Sequence, residues 1–129
     1  MIQLQTPIKE VNIPTEKLLE IIIEGLKSNK AKNIHVLNLK NLENAVSEYF
    51  VVCNGTSRTH VSATAQSVEK EVRTVLGEYP WKKEGYTNGE WVLVDFSSIV
   101  VHVFQQKARN FYNIEELWAD AEITILEDE

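Results

Sequence analysis

From Trp91 to Phe104 the chain reads WVLVDFSSIVVHVF, apolar at every position except Asp95, Ser97, Ser98 and His102. Side chains alternate between the two faces of a strand, and β-branched and aromatic residues suit strands. The run therefore predicts two strands joined at Phe96–Ser98, forming a hairpin. With Asp95 opposite Ser98, one face holds Val92, Val94, Ile99, Val101 and Val103. It is wholly β-branched and apolar, so it must lie against helices. The other face holds Trp91, Leu93, Asp95, Ser98, Val100, His102 and Phe104, with Trp91 across from His102. An aromatic-rich face with a few polar groups matches the composition of a docking surface. It also matches a second core layer, covered by the first helix, with His102 satisfied by a backbone group. Periodicity leaves both readings open.

The rest of the chain supplies the helices that the all-valine side needs. Residues 1–14 read as an irregular arm. Pro14 and Thr15 mark a helix start, with Thr15 as N-cap, and Leu18, Leu19, Ile22, Ile23 and Leu26 form a helical face ending near Asn29. Strands are expected at 33–39 and 48–54, the second closed by the turn pair Asn54–Gly55. A long helix follows from Arg58 to Leu76, capped by Ser57, striped by Val61, Ala65, Val68, Val72 and Val75, and stopped by Gly77. Residues 85–89, GYTNG, form a turn segment. Two short helices are expected at about 107–111 and 114–120. The order predicts one α/β domain over 15–121 with a mixed sheet, then an acidic tail at 122–129.

Charge narrows the partners. The 129 residues carry a net charge of −6, and no Lys or Arg follows Arg109, whereas Glu115, Glu116, Asp120, Glu122, Glu127, Asp128 and Glu129 do. An acidic end repels phosphate backbones, so sequence-specific nucleic-acid binding is not expected, and a basic protein partner fits better. No apolar run reaches the roughly 18 residues of a membrane helix. No secretory or transit-peptide pattern is present at the N-terminus. Cys53 is the only cysteine and reads as a buried, inert thiol. These features favour a cytoplasmic protein without membrane contact.

Catalytic readings find little support. NGTSR, residues 54–58, resembles a phosphate-binding strand-to-helix turn, but Gly55, Thr56 and Ser57 serve equally as a tight turn and helix cap. Two-metal nucleotidyl transfer needs converging carboxylates, and the following strands supply only Asp95, with Leu93 where a second acid would fall. Ser57, His60 or His102, and Asp95 include the residue types of a hydrolase triad, but no G-x-S-x-G elbow occurs. No Walker or dinucleotide fingerprint is present. Neither a cofactor nor a metal is expected.

The strand and turn YFVVCNGTS, the hairpin WVLVDF…IVVHVF and the ending ARNFYNIEELWADA, in that order and spacing, resemble the ribosomal silencing factor, or Iojap-like, family from about Thr15 to Ala121. The resemblance implies a nucleotidyltransferase-like α/β fold without catalytic carboxylates and no enzymatic activity. It implies binding to the large ribosomal subunit through its protein fourteen, steric block of subunit joining, and a homodimer when free. Trp91, Asp95, His102, Ala108, Arg109, Tyr112, Leu117, Trp118 and Asp120 match the family pattern, as do Gly55, Thr56 and Ser57. One departure lies in the hairpin turn. Ser97 and Ser98 stand where the family often has Gly and then an acid, which leaves Asp95 as the candidate carboxylate. On this resemblance Trp91, Leu93, Asp95, His102 and Tyr112 form or border the partner surface. Leu117–Trp118 is expected to anchor the terminal helix in the core.

Overall fold

The structure, a computed structural model, describes residues 13–128. Its elements are α1 (Thr15–Ser28), β1 (Lys32–Asn38), β2 (Tyr49–Gly55), α2 (Arg58–Leu76), β3 (Lys82–Glu84), β4 (Trp91–Asp95), β5 (Ile99–Gln105), α3 (Gln106–Tyr112), α4 (Ile114–Leu117) and β6 (Glu122–Ile125). They form one mixed α/β layer with a six-stranded sheet in the order β3-β4-β5-β2-β1-β6. Only β2 and β5 run parallel; the other neighbours are antiparallel.

The all-valine face of the hairpin packs as its pattern demands. Val92, Val94, Ile99, Val101 and Val103 are fully buried with Ile34, Val51 and Cys53 beneath α1 and α2. On α2 the stripe Val61, Ala65, Val68 and Val72 is buried, but Val75 is 47% exposed. The stripe continues instead at Leu76, four residues after Val72, which is half-buried against the core. Gly77 ends α2 at φ 69°, the left-handed conformation that glycine adopts without a Cβ clash. Ser57 caps its start, its Oγ accepting from the His60 backbone N–H at 3.0 Å.

On α1 the buried set is Leu18, Ile21, Ile22, Gly25 and Leu26, with Leu19 and Ile23 at the margin. Gly25 is there for space. A Cβ on it would stand 2.9 Å from Val68 Cα and 3.1 Å from the Ser67 carbonyl, so α1 and α2 cross in near backbone contact. Thr15 is not the cap of α1. Pro14 holds that place, its carbonyl accepting from Lys17 and Leu18, and no side chain caps the helix. Residues 1–12 of the expected arm lie outside the described residues.

Two strands, β3 and β6, carry no burial pattern that marks them in the sequence. β3 pairs with the outer side of β4 through backbone alone, its side chains all exposed. β6 does the same on the free side of β1, pairing Ile123 with Leu37 and Ile125 with His35. The stretch read as an acidic tail at 122–129 therefore begins with an edge strand. Its β-branched Ile-Thr-Ile core supplies the extended backbone, and the charges around it obscured that signal. The hairpin register also differs from expectation. Trp91 pairs with Phe104, Leu93 with His102 and Asp95 with Val100. Pairing extends one step further, to Phe96 and Ile99, where Phe96 N–H donates to the Ile99 carbonyl at 2.9 Å. The two-residue loop moves one position on, to Ser97–Ser98, and the register slides by two. An even slip keeps every side chain on its face.

Candidate functional site

The second face of the hairpin, whose role periodicity left open, carries Trp91, Leu93, Asp95, Val100, His102 and Phe104, and Phe50 of β2 stands beside Val100. The face is part core and part surface. Val100, His102 and Phe104 are buried, whereas Trp91, Leu93 and Asp95 are half-exposed. The cover comes from the chain's last third, not from the first helix. Ile114 and Trp118 pack with Leu37, Leu39, Val52 and Phe104, and Ala108 borders them. Trp118 meets the Phe50 ring edge-on at 5.8 Å. Leu117, expected beside it in the core, is 76% exposed, because α4 is one turn long and only Ile114 points inward.

What holds this cover down is Arg109, whose role the sequence did not disclose. Its guanidinium is buried, and each of its three nitrogens donates to a partner. Nε and Nη2 form a fork on Glu115 at 3.0 and 3.1 Å, and Nη1 donates to the Asn33 carbonyl and to Asn54 Oδ1, both at 2.7 Å. His35 Nδ1 meets the same Glu115 carboxylate at 2.5 Å. Burial alone would raise the Glu115 carboxyl, but Arg109 and then His35 outweigh it and hold the group below its ordinary value. The clasp ties α3 and α4 to β1 and β2. In the sequence it shows only as the last cation before a long acidic stretch and as a match to the family pattern.

Within the face, the aromatic rings form a ladder. Trp91 stacks on Phe104 with centroids 4.9 Å apart, and Tyr112, half-exposed, lies over Trp91 at 4.8 Å. Trp91 Nε1 donates to His102 Nδ1 at 3.1 Å. His102 is therefore satisfied by an indole on one side, not by a backbone group. Burial pushes its imidazole down to about 4, so the ring is neutral near pH 7, with its proton on Nε2. That Nε2 is buried and finds no acceptor among the described residues. Asp95 Oδ1 accepts from the Ser97 N–H at 2.7 Å and so braces the hairpin loop. Ser97 sits at φ 77°, at the first loop position that two-residue hairpins fill with glycine. A hollow of about 390 Å³ opens beside His102, bounded by Phe50, Leu93, Asp95 and the exposed Val46 and Trp81.

The residues considered for catalysis lie apart. Ser57 and His60 begin α2, which covers the valine face, whereas Asp95 and His102 point from the opposite face. His60 Nδ1 accepts from Thr56 N–H at 2.9 Å, and its Nε2 donates to the Asn29 carbonyl at 2.6 Å, so one ring nitrogen braces the turn and the other ties it to the end of α1. Cys53 is buried and burial pushes its thiol up to about 12, which removes it as a nucleophile. Among the described residues no three His, Cys, Asp or Glu side chains gather where they share a metal ion. A second hollow, of about 530 Å³, adjoins Gly55 and Thr56 at the ends of β2 and β5, with Lys32 and Lys107 on its walls. The Asp128 carboxylate borders it and accepts from the Asn33 N–H at 2.9 Å. Among the described residues no helix is long and apolar enough to cross a membrane.

Fold and face together define a single α/β domain with a half-covered aromatic surface. The family model described as "Ribosomal silencing factor during starvation" matches residues 12–129. The chain is 35% identical over 112 residues to the ribosomal silencing factor RsfS of Halalkalibacterium halodurans, covering 87% of this chain and 94% of that one. It is 29% identical over 102 residues to a mouse protein named for mitochondrial assembly of the ribosomal large subunit, covering 78% of this chain and 44% of that protein. A crystal structure of a Chromobacterium violaceum protein superposes with a TM-score of 0.78 at 33% identity, covering 83% of this chain and 88% of that one. The chain belongs to the ribosomal silencing factor family.

Proposed function

We propose that this protein is a cytoplasmic translational repressor, not an enzyme, that binds the large ribosomal subunit through its protein fourteen and sterically blocks joining of the small subunit. The observation that carries the reading is the ladder of Tyr112, Trp91 and Phe104 backed by His102. It presents a rigid, partly exposed aromatic surface beside the Asp95 carboxylate. Rigid aromatics supply contact area at little entropic cost, and a carboxylate pairs with Arg or Lys of a basic ribosomal protein. Trp91, Leu93, Asp95, His102 and Tyr112 form or border that contact. The net charge of −6 favours approach to a basic protein. In the free state the chain is a homodimer.

Sedimentation tests this directly. Purified small and large subunits are mixed at joining magnesium concentration, with and without excess protein. Co-migration with the large subunit and loss of the joined peak are expected. Normal joining with the protein left at the top of the gradient would exclude the reading.

A second reading, nucleotide binding by a degenerate transferase site near the Gly55–Ser57 turn, draws on Lys32 and Lys107 around the hollow that Gly55 and Thr56 line. It requires metal-dependent nucleotide binding, which calorimetric titration measures. Asp95 and His102 lie elsewhere, so the arrangement favours the first reading.

A further inference from the structure

The sheet ends on two edges of different character, β3 and β6. β3 is three residues long, and its Lys82 and Lys83 pair with Glu84 at 3.4 Å and Glu69 at 3.1 Å. Lysines on a short outer strand blunt an edge against further pairing. β6 carries no cation. Its residues Glu122, Ile123, Thr124 and Ile125 are all exposed, Ile123 at 40% and Ile125 at 67%. Large β-branched side chains left in water on an outer strand favour the addition of another strand.

The backbone of β6 is oriented to the same end. Leu126 N–H donates to the Ile34 carbonyl at 2.9 Å, so it points toward β1. Backbone groups alternate in direction along a strand, so Thr124 and Glu122 also face β1. The N–H and C=O groups of Ile123 and Ile125 therefore point away from it, and no described strand lies beyond them.

Charge selects what can pair there. Asp120 precedes β6, Glu122 lies on it and Glu127 follows it, all exposed. Among the described residues none of the three meets a cation within ion-pair distance. An antiparallel pairing of two copies of β6 brings Glu127 of one to the Asp120–Glu122 end of the other, and like charges across strands repel. RNA meets the same acids and offers no extended amide backbone. A basic protein segment satisfies both the outward amides and the acids. Residues directly opposite share a face of the sheet, so the segment alternates: apolar residues beside Ile123 and Ile125, Lys or Arg beside Glu122 and Thr124.

We propose that the free edge of β6 takes an extended, basic segment of a partner protein as a further strand of the sheet. In the sheet β5, β2 and β1 stand between this edge and Trp91 on β4. The inference is therefore independent of the docking reading above, and one molecule can use both surfaces.

The test uses the full chain labelled with ¹⁵N and a synthetic end-capped peptide, Lys-Val-Lys-Val-Lys-Val-Lys, titrated to millimolar concentration. The Ile123 and Ile125 amide protons are expected to move downfield and exchange more slowly with water, while the Trp91 indole N–H stays in place. The analogue with Glu for every Lys is expected not to bind. Ile125→Pro removes an outward N–H and leaves the inward Leu126 bond to β1, a placement that edge strands tolerate. It is expected to keep the amide spectrum of α1 and α2 and to weaken peptide binding about tenfold. Glu122→Lys combined with Glu127→Lys, which leaves the backbone of the edge unaltered, is expected to weaken it as much. Binding that shifts only the Trp91 side of the sheet, equal binding of the Glu analogue, or unchanged binding in both variants would overturn the proposal. So would a dimer that Ile125→Pro turns into a monomer, since the edge would then belong to a second copy.

Discussion

Trp91 and His102 are diagonal neighbours across the β4–β5 hairpin, and the indole N–H donates to His102 Nδ1 at 3.1 Å. One bond thus sets the tautomer of a buried histidine and the tilt of a half-exposed tryptophan. The pair resolves the ambiguity of an Asp and a His in an apolar hairpin. The histidine's partner is the tryptophan, and the aspartate turns to the Ser97 N–H.

Stability is expected to fall on acidification because His102 refuses a proton in the folded chain. Its ordinary value is 6.5 and burial pushes it down to about 4. Between those values the unfolded chain holds a proton that the folded chain does not. The contribution is therefore complete above about pH 6.5 and is lost as pH falls toward about 4, a change on the order of 3 kcal/mol. Urea unfolding at a series of pH values, compared between wild type and His102→Phe, reads this out. Equal slopes in the two proteins between pH 6.5 and 4.5 would contradict it.

Gly25→Ala is expected to destabilise the protein although alanine is the better helix former. Helix propensity contributes at most about 1 kcal/mol in its favour. Against it, the added Cβ meets Val68 Cα at 2.9 Å, a backbone atom that yields only if α1 and α2 separate. Overpacking of this kind costs roughly 1–3 kcal/mol, so a net loss of about 1 kcal/mol is expected in urea unfolding. A stabilised variant would mean the helices part more easily than the packing indicates.

Ser97→Gly is expected to act in the opposite direction. Ser97 holds φ 77°, a left-handed conformation that costs a residue with a Cβ roughly 1–2 kcal/mol. Glycine relieves that cost but gives back part of it in unfolded-chain entropy. The Asp95 bond to the position-97 N–H uses backbone and survives the change. A gain of about 0.5–1 kcal/mol is expected, with the thermal midpoint rising accordingly.

Arg109→Lys tests the clasp. Lysine keeps the charge but cannot span Glu115, Asn33 and Asn54 with one planar fork. Several buried acceptors lose their donor, at a cost of about 2 kcal/mol or more. Amide exchange is expected to accelerate across residues 106–121 and to stay slow in α1 and α2. Uniform acceleration over the whole chain would instead make Arg109 a global element.

The main elements were legible because their signals are local. Alternation in 91–104 and the valine stripe on α2 each predict which side is buried, and both helices cover the face that had to be covered. Gly77 and Ser57 cap α2 as their residue types require. The face of each hairpin residue was legible even though its register was not, because faces follow parity whereas register depends on the loop.

What tertiary structure alone decided has a common origin. β3 and β6 exist because the outer strands β4 and β1 offer free backbone groups, and backbone groups are the same at every residue. Arg109 is a clasp because Asn33 and Asn54, 76 and 55 residues away, arrive at its side. The second hairpin face is partly core and partly surface because α3 and α4 reach only half of it. Side-chain patterns report burial along a strand or helix. They carry no record of which distant segment arrives to cover it, and here that arrival separated the buried rings from the exposed ones.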